Sequence, residues 1–195
     1  MSTIKNNKFF KNFFFMYLAF LQARKALGNT GINPSVGCVI TNNDNIISIG
    51  RTSFNGKPHA EYNAIHSRKL NYEGNNLYVT LEPCVHYGLT PPCVHSIIRS
   101  KIKKVYFSIY DIDSRTAKKS KIVLRKKNIF VMNGILKSKV KKFYNYYNKN
   151  ILKKLPFVTA KIATSKDYFI KNIVNRSITN DYSRKTSHLL RYQNN

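Results

Sequence analysis

The chain has 195 residues, enough for one domain or for one domain and part of another. Hydrophobic residues make up 43%, which excludes a chain disordered throughout, and three cysteines are too few for a disulfide framework and point to a reducing compartment, the cytoplasm. Lys and Arg number 34 against 8 Asp and Glu, a net charge of +26. That is an electrostatic footprint for a polyanion. The cations are nevertheless spread along the chain amid abundant Asn, Ile, Phe and Tyr, and no aromatic-interleaved patch gathers them. We read the charge as compositional, and a nucleic-acid partner as unlikely on this sequence.

In chain order, residues 4–28 begin with Lys and Asn and continue through Phe13-Phe14-Phe15-Met16-Tyr17-Leu18-Ala19-Phe20-Leu21. No small-residue cleavage site follows, and the apolar run is shorter than the roughly 20 residues of a membrane span. It reads as the first, heavily buried helix, stopped at Gly28, with a membrane-surface anchor as the lesser alternative. Asn33-Pro34 then marks a turn. Val36–Thr41 and Ile46–Gly50 are short β-rich runs flanking Asn42-Asn43-Asp44-Asn45, so they predict a hairpin. Cys38 falls in the alternating first strand and reads as a small core residue.

A helix is predicted from about His59, a strand over Leu77–Leu81, and a helix from Pro91-Pro92-Cys93 through Ser100. A strand over Lys104–Tyr110, a basic helix over Thr116–Lys127 and a strand over Ile129–Asn133 follow. Lys137–Lys153 then reads as a basic, Tyr-rich helix leaving the domain. Strands alternating with helices after the hairpin argue an α/β fold with a mixed, mostly parallel sheet covered on both faces.

The chemistry concentrates between His59 and Cys93. His59, Cys84 and Cys93 are ligands suited to zinc, and three protein ligands leave a tetrahedral position open, as in catalytic sites. Glu61, two residues from His59, can lie near a metal without binding it and shuttle protons. His95 would lie about 200° around a helix from Cys93 and is read as a non-ligand. His66 reads as a surface or packing residue. A closed zinc clip is the structural alternative, and His86 is its one obvious fourth ligand.

His59-Ala60-Glu61 and Pro83-Cys84…Cys93 form the signature of zinc-dependent deaminases. The eight residues between the cysteines, Val85-His86-Tyr87-Gly88-Leu89-Thr90-Pro91-Pro92, narrow the match. With Pro58-His59-Ala60-Glu61 and Asn33-Pro34-Ser35-Val36-Gly37-Cys38-Val39-Ile40, they resemble the deaminase domain of the bifunctional riboflavin-biosynthesis deaminase/reductase over roughly residues 15–150. The resemblance implies a three-layer α/β/α cytidine-deaminase-like fold with a mixed five-stranded sheet. It implies one Zn2+ per chain, held by His59, Cys84 and Cys93, with Glu61 as proton shuttle. It also implies removal of the 2-amino group from a phosphoribosylaminopyrimidine, with Asn33, His86 and Asp111 at the substrate. Asn33 reads equally as a turn residue.

Four positions of this stretch depart from the family's pattern. Arg51-Thr52 replaces an aromatic-His pair, Leu89 stands where a Lys or Arg contacts phosphate, and Asp113 replaces Asn. Residues 1–150 are therefore expected to form the deaminase domain. Residues 151–195, from Leu155-Pro156-Phe157 onward, resemble the start of the reductase domain, with Tyr168 for Gly and Ser177 for Trp. They are read as a truncated segment without reductase activity, so that no NADPH binds and a separate reductase acts next. No membrane partner is expected, and a homo-oligomer is left open. An RNA or nucleoside deaminase and a non-catalytic zinc-stapled binding protein are the competing functions.

Overall fold

A computed structural model describes residues 2–68, 70–88, 90–170 and 178–193, the side chains of residues 2–8 excepted. Helix α1 spans Ser2–Ala26. Its second half buries Phe15, Met16, Ala19, Phe20 and Ala23, whereas Phe9, Phe10, Phe13 and Phe14 are exposed. The expectation of a heavily buried helix therefore holds only for the part that reaches the sheet. None of the helices is long and apolar enough to cross a membrane, among the described residues.

Strands β1, Gly37–Asn42, and β2, Asn45–Arg51, form the expected hairpin, with Asn43 in the left-handed region at the turn. Asn tolerates that conformation because its short side chain can bond locally. Strand β3, Asn76–Leu81, pairs antiparallel with β1, setting Cys38 opposite Val79 and Ile40 opposite Leu77. Strands β4, Lys104–Ile109, and β5, Phe130–Asn133, continue the sheet in parallel, in the order β2-β1-β3-β4-β5. Parallel neighbours need crossovers, supplied by helices α3, Cys93–Arg99, and α4, Ser120–Arg125. Helix α2, Ala60–His66, connects β2 to β3.

The period-2 alternation of the strands sorts the core into two layers. On one face Val39, Tyr78 and Tyr106 pack against Phe15, Met16 and Ala19 of α1. On the other, Cys38, Ile40, Leu77, Val79, Val105, Phe107 and Val131 meet Ala60, Ala64 and Ile65 of α2, Val94 and Ile97 of α3, and Leu124 of α4. Burying a side chain such as Leu77 or Phe107 completely contributes roughly 1.5–3 kcal/mol. Gly50 lets α2 sit directly on β2, since a Cβ there would lie 2.2 Å from the Ala60 carbonyl oxygen. The sheet thus fixes the helix start that carries His59 and Glu61.

Two predicted helices are shorter than expected. Residues 116–119 form turns instead of joining α4: the Lys118 N–H donates to the Glu82 carboxylate, while those of Thr116 and Ala117 reach the Asp113 carbonyl. The helix expected over 137–153 divides into α5, Lys137–Phe143, and α6, Asn145–Lys153. The break falls at Tyr144, which is fully buried, with its hydroxyl 2.8 Å from Thr80 Oγ1 and donating to the Ser35 carbonyl at 2.9 Å. Leu155–Asp167, which resembles the first strand of the family's reductase domain, forms neither helix nor strand. A strand needs a ladder partner, and this stretch is not part of the five-stranded sheet. Helix α7, Asp181–Gln193, has no buried residue and touches the body where the Tyr192 hydroxyl bonds the Asn29 side chain. Tyr168 is exposed, and Ser177 lies outside the described residues.

Candidate active site

His59 is the residue before α2, with extended backbone, and Glu61 lies in the first turn. Cys84 follows β3 after Glu82-Pro83, and Cys93 is the first residue of α3. The donor atoms of His59, Cys84 and Cys93 all lie within 4.8 Å of one another. His59 Nδ1 is 3.3 Å from Cys93 Sγ and 3.6 Å from Cys84 Sγ. Tetrahedral zinc with ordinary Zn–S and Zn–N lengths separates a sulfur and a nitrogen ligand by about 3.6 Å, so the donor set fits that ion. The Cys93 N–H donates to Cys84 Sγ at 3.2 Å, which orients that sulfur from its second side.

Without an ion, Cys84 is held down to about 4 by hydrogen bonding from Cys93, against its burial, with His59 adding to the effect. The Cys93 thiol is pushed up by its bond to Cys84 and by burial, and His59 is raised by its bond to Cys84. His59 and Cys93 thus both converge on the Cys84 sulfur, the negative end of the cluster. Glu61 is 4% exposed, and burial pushes its carboxyl up to about 7, with Cys84 adding to the shift.

A cavity of about 410 Å³ opens from this cluster. His59, Glu61 and Cys84 line it, as do Asn33, His86 and Asp111, so it unites all but Cys93 of the expected site residues. His86 stands outside the three-donor cluster, and its Nδ1 lies 2.9 Å from the hydroxyl of buried Thr116. Asn33 is fixed by Gly56, whose φ of 83° suits glycine and whose added Cβ would lie 2.1 Å from Asn33 Nδ2. Thr52 is buried, accepting from the Val36 N–H at 2.9 Å and donating to the Pro34 carbonyl at 3.2 Å. It therefore braces the segment that follows Asn33. Leu89 lies outside the described residues.

Sequence reasoning passed over Glu82. Its carboxylate is 3% exposed and accepts from the N–H groups of Asp111 at 3.2 Å, Lys118 at 2.9 Å and Ser120 at 3.1 Å. The Ser120 hydroxyl donates as well, at 2.8 Å. Glu82 so ties the loop after β4, and with it Asp111 and Thr116, to the end of β3. Burial raises the Asp111 carboxyl, whose Oδ1 accepts from the Tyr147 hydroxyl at 3.3 Å. One signal was available: of the 8 acidic residues, Glu61, Glu82, Asp111 and Asp113 all line this cavity. In so basic a chain, an acidic residue is itself a pointer.

His95 and His66 stay outside the cluster. The Tyr87 hydroxyl lies 3.2 Å from His95 Nδ1, and exposed His66 stacks on Tyr62 at 3.9 Å. Cys38 is completely buried in the core.

Comparison with known proteins agrees with this geometry. The model of the cytidine and deoxycytidylate deaminase zinc-binding region matches residues 11–109. The riboflavin biosynthesis protein RibD of Aquifex aeolicus is 36% identical over 91% of this chain and 50% of its own length. That of Chlamydia trachomatis is 39% identical over 77% of this chain and 41% of its own. The chain thus spans about half the length of these relatives. The diaminohydroxyphosphoribosylamino-pyrimidine deaminase of Buchnera aphidicola from Schizaphis graminum is 38% identical over 74% of this chain and 96% of its own length. Among solved structures, the Thermotoga maritima deaminase/reductase superposes with a TM-score of 0.84 at 35% identity, over 93% of this chain and 53% of that one. The zinc-binding signature, the donor cluster and these likenesses together show that the chain belongs to the cytidine and deoxycytidylate deaminase family, as a relative of the deaminase domain of RibD.

Proposed function

We propose that the chain catalyses hydrolytic deamination of the diaminohydroxyphosphoribosylaminopyrimidine named for its relatives, giving 5-amino-6-(5-phosphoribosylamino)uracil and ammonia. The observation that carries this reading is the three-donor cluster with Glu61 beside it at the buried end of the cavity. Zinc, one per chain and held by His59, Cys84 and Cys93, supplies Lewis-acid activation of water when bound. Glu61 moves the protons: it accepts one from the attacking water and delivers it to a ring nitrogen, then takes the second from the added hydroxyl and passes it to the departing amine as the C–N bond breaks. An exocyclic C–N bond is exchanged for C–O and ammonia leaves. Asn33, His86 and Asp111 flank the ring, and burial lets their dipoles act at low dielectric.

Residues 1–150 carry this chemistry. That residues 151–195 bind no NADPH and that another protein performs the reduction belong to the same proposal. Three free cysteines suit a reducing cytoplasm. The test is ammonia release from the phosphoribosylaminopyrimidine, from cytidine and from an RNA, using the zinc-loaded chain. Turnover of the first alone is expected. NADPH titration of the same protein should give no saturable binding.

A further inference from the structure

We infer that Thr116 is a positioning residue for the pyrimidine reaction: its hydroxyl holds His86 as the neutral tautomer protonated on Nε2, so that the ring offers a hydrogen-bond donor to the substrate. This rests on the reading of the cavity as a pyrimidine deaminase site with His86 beside the ring. His86 lines the cavity and Thr116 does not. What joins them is the 2.9 Å contact between His86 Nδ1 and Thr116 Oγ1.

Two observations set the direction of that bond. Thr116 is 0% exposed, which leaves water no access to its hydroxyl, and His86 Nδ1 is the one hydrogen-bond partner of Oγ1 among the described residues. A buried hydroxyl whose proton meets no acceptor is costly, so Thr116 donates and Nδ1 accepts. In a neutral imidazole the proton then sits on the other nitrogen. Nδ1 is spent on a residue outside the cavity lining, and Nε2–H is left for a ligand.

The hydroxyl is also the fixed member of the pair. The Thr116 N–H donates to the Asp113 carbonyl and the Thr116 carbonyl accepts from the Lys119 N–H, both at 2.9 Å. Before it the Asp111 N–H, and after it those of Lys118 and Ser120, donate to the buried Glu82 carboxylate. His86, by contrast, is half-buried in the loop between the cysteines, beside exposed Tyr87 and Gly88. Its ring has no other hydrogen-bond partner among the described residues. A valine at 116 would fill nearly the same space and leave both the rotation and the tautomer of the ring unset.

Two readouts on the zinc-loaded full chain test this, neither of them a stability measurement. The first is proton–nitrogen correlation NMR of 15N-histidine-labelled protein at about pH 8, above the ordinary imidazole pKa. The His86 signal is assigned by its loss in His86→Gln. Wild type and Thr116→Ser are expected to show the Nε2–H tautomer alone, and Thr116→Val a mixture of both. The second is turnover of the phosphoribosylaminopyrimidine. Thr116→Val should raise KM about two- to tenfold, the worth of one neutral hydrogen bond, while kcat changes by less than about twofold. Thr116→Ser should restore KM. An Nδ1–H tautomer in wild type, the same His86 signal in wild type and Thr116→Val, or an unchanged KM in Thr116→Val would overturn the assignment. Should Thr116→Val fail to fold, Thr116→Ala takes its place, and the wild-type tautomer still decides the direction of the bond. If wild type deaminates no pyrimidine, the functional reading fails and the substrate role of His86 falls with it, while the NMR comparison alone decides whether Thr116 sets the ring.

Discussion

Glu82 and Ser120, 38 residues apart, meet through two bonds to one oxygen: the Ser120 N–H and Oγ–H both donate to Glu82 Oε1, at 3.1 and 2.8 Å. This contact, with the Asp111 and Lys118 amides on the other oxygen, decides the shape of the cavity wall. Glu82→Ala would take the acceptor from the buried Ser120 N–H and from the partly buried Asp111 and Lys118 N–H groups, at a cost of roughly 1–3 kcal/mol for each that water does not reach. A loss of about 3 kcal/mol or more in urea unfolding is expected, with Glu82→Gln milder. A stability within 0.5 kcal/mol of wild type would mean that the loop holds itself, that figure being about the scatter of a surface substitution.

Gly56 and Asn33 form a second such pair. Gly56→Ala forces both a left-handed alanine and a clash with the Asn33 side chain. The expected result is a rise in KM of about tenfold, from displacement of Asn33, at near-wild-type zinc content. Unchanged KM would remove Asn33 from the substrate.

Tyr144→Phe deletes one hydroxyl bonded to both Thr80 and Ser35 in a fully buried position. The segment 35–36 then loses an anchor to the C-terminal helices, and a loss of about 1–2 kcal/mol is expected in chemical denaturation. A neutral substitution would show that the break between α5 and α6 has another cause.

Metal removal tests the donor cluster. If zinc binds the folded chain and not the unfolded one, a hundredfold excess over Kd adds about 2.7 kcal/mol of stability. Chelation should lower the thermal midpoint, and zinc should restore it. His59→Ala and Cys84→Ser should abolish the response; a zinc-dependent midpoint that survives in both would place the ion elsewhere.

Much of this was legible in residues whose role is local. The hairpin is written in Val36–Thr41, the Asn-rich turn and Ile46–Gly50. The donors are written in a spacing that leaves few alternatives. What escaped depends on partners distant in sequence. Glu82 reads as one carboxylate at a strand end until the folded chain brings Asp111, Lys118 and Ser120 to it. Thr116–Lys127 has helical periodicity throughout, yet its first turn is surrendered to that carboxylate. Tyr144 interrupts a helix that propensity alone would continue, since its hydroxyl is bonded across the domain. The reverse error occurs at Leu155–Asp167, read as a strand by resemblance, which is not part of the five-stranded sheet.

The most direct test is turnover by wild type and Glu61→Gln, both zinc-loaded, with ammonia and the uracil product quantified from the phosphoribosylaminopyrimidine. Stoichiometric ammonia from wild type is expected. Glu61→Gln should retain its zinc while kcat falls about 10²–10⁴-fold, the usual worth of a general acid–base. Full turnover by Glu61→Gln, or loss of its metal, would contradict the role of Glu61 as the proton carrier beside the metal.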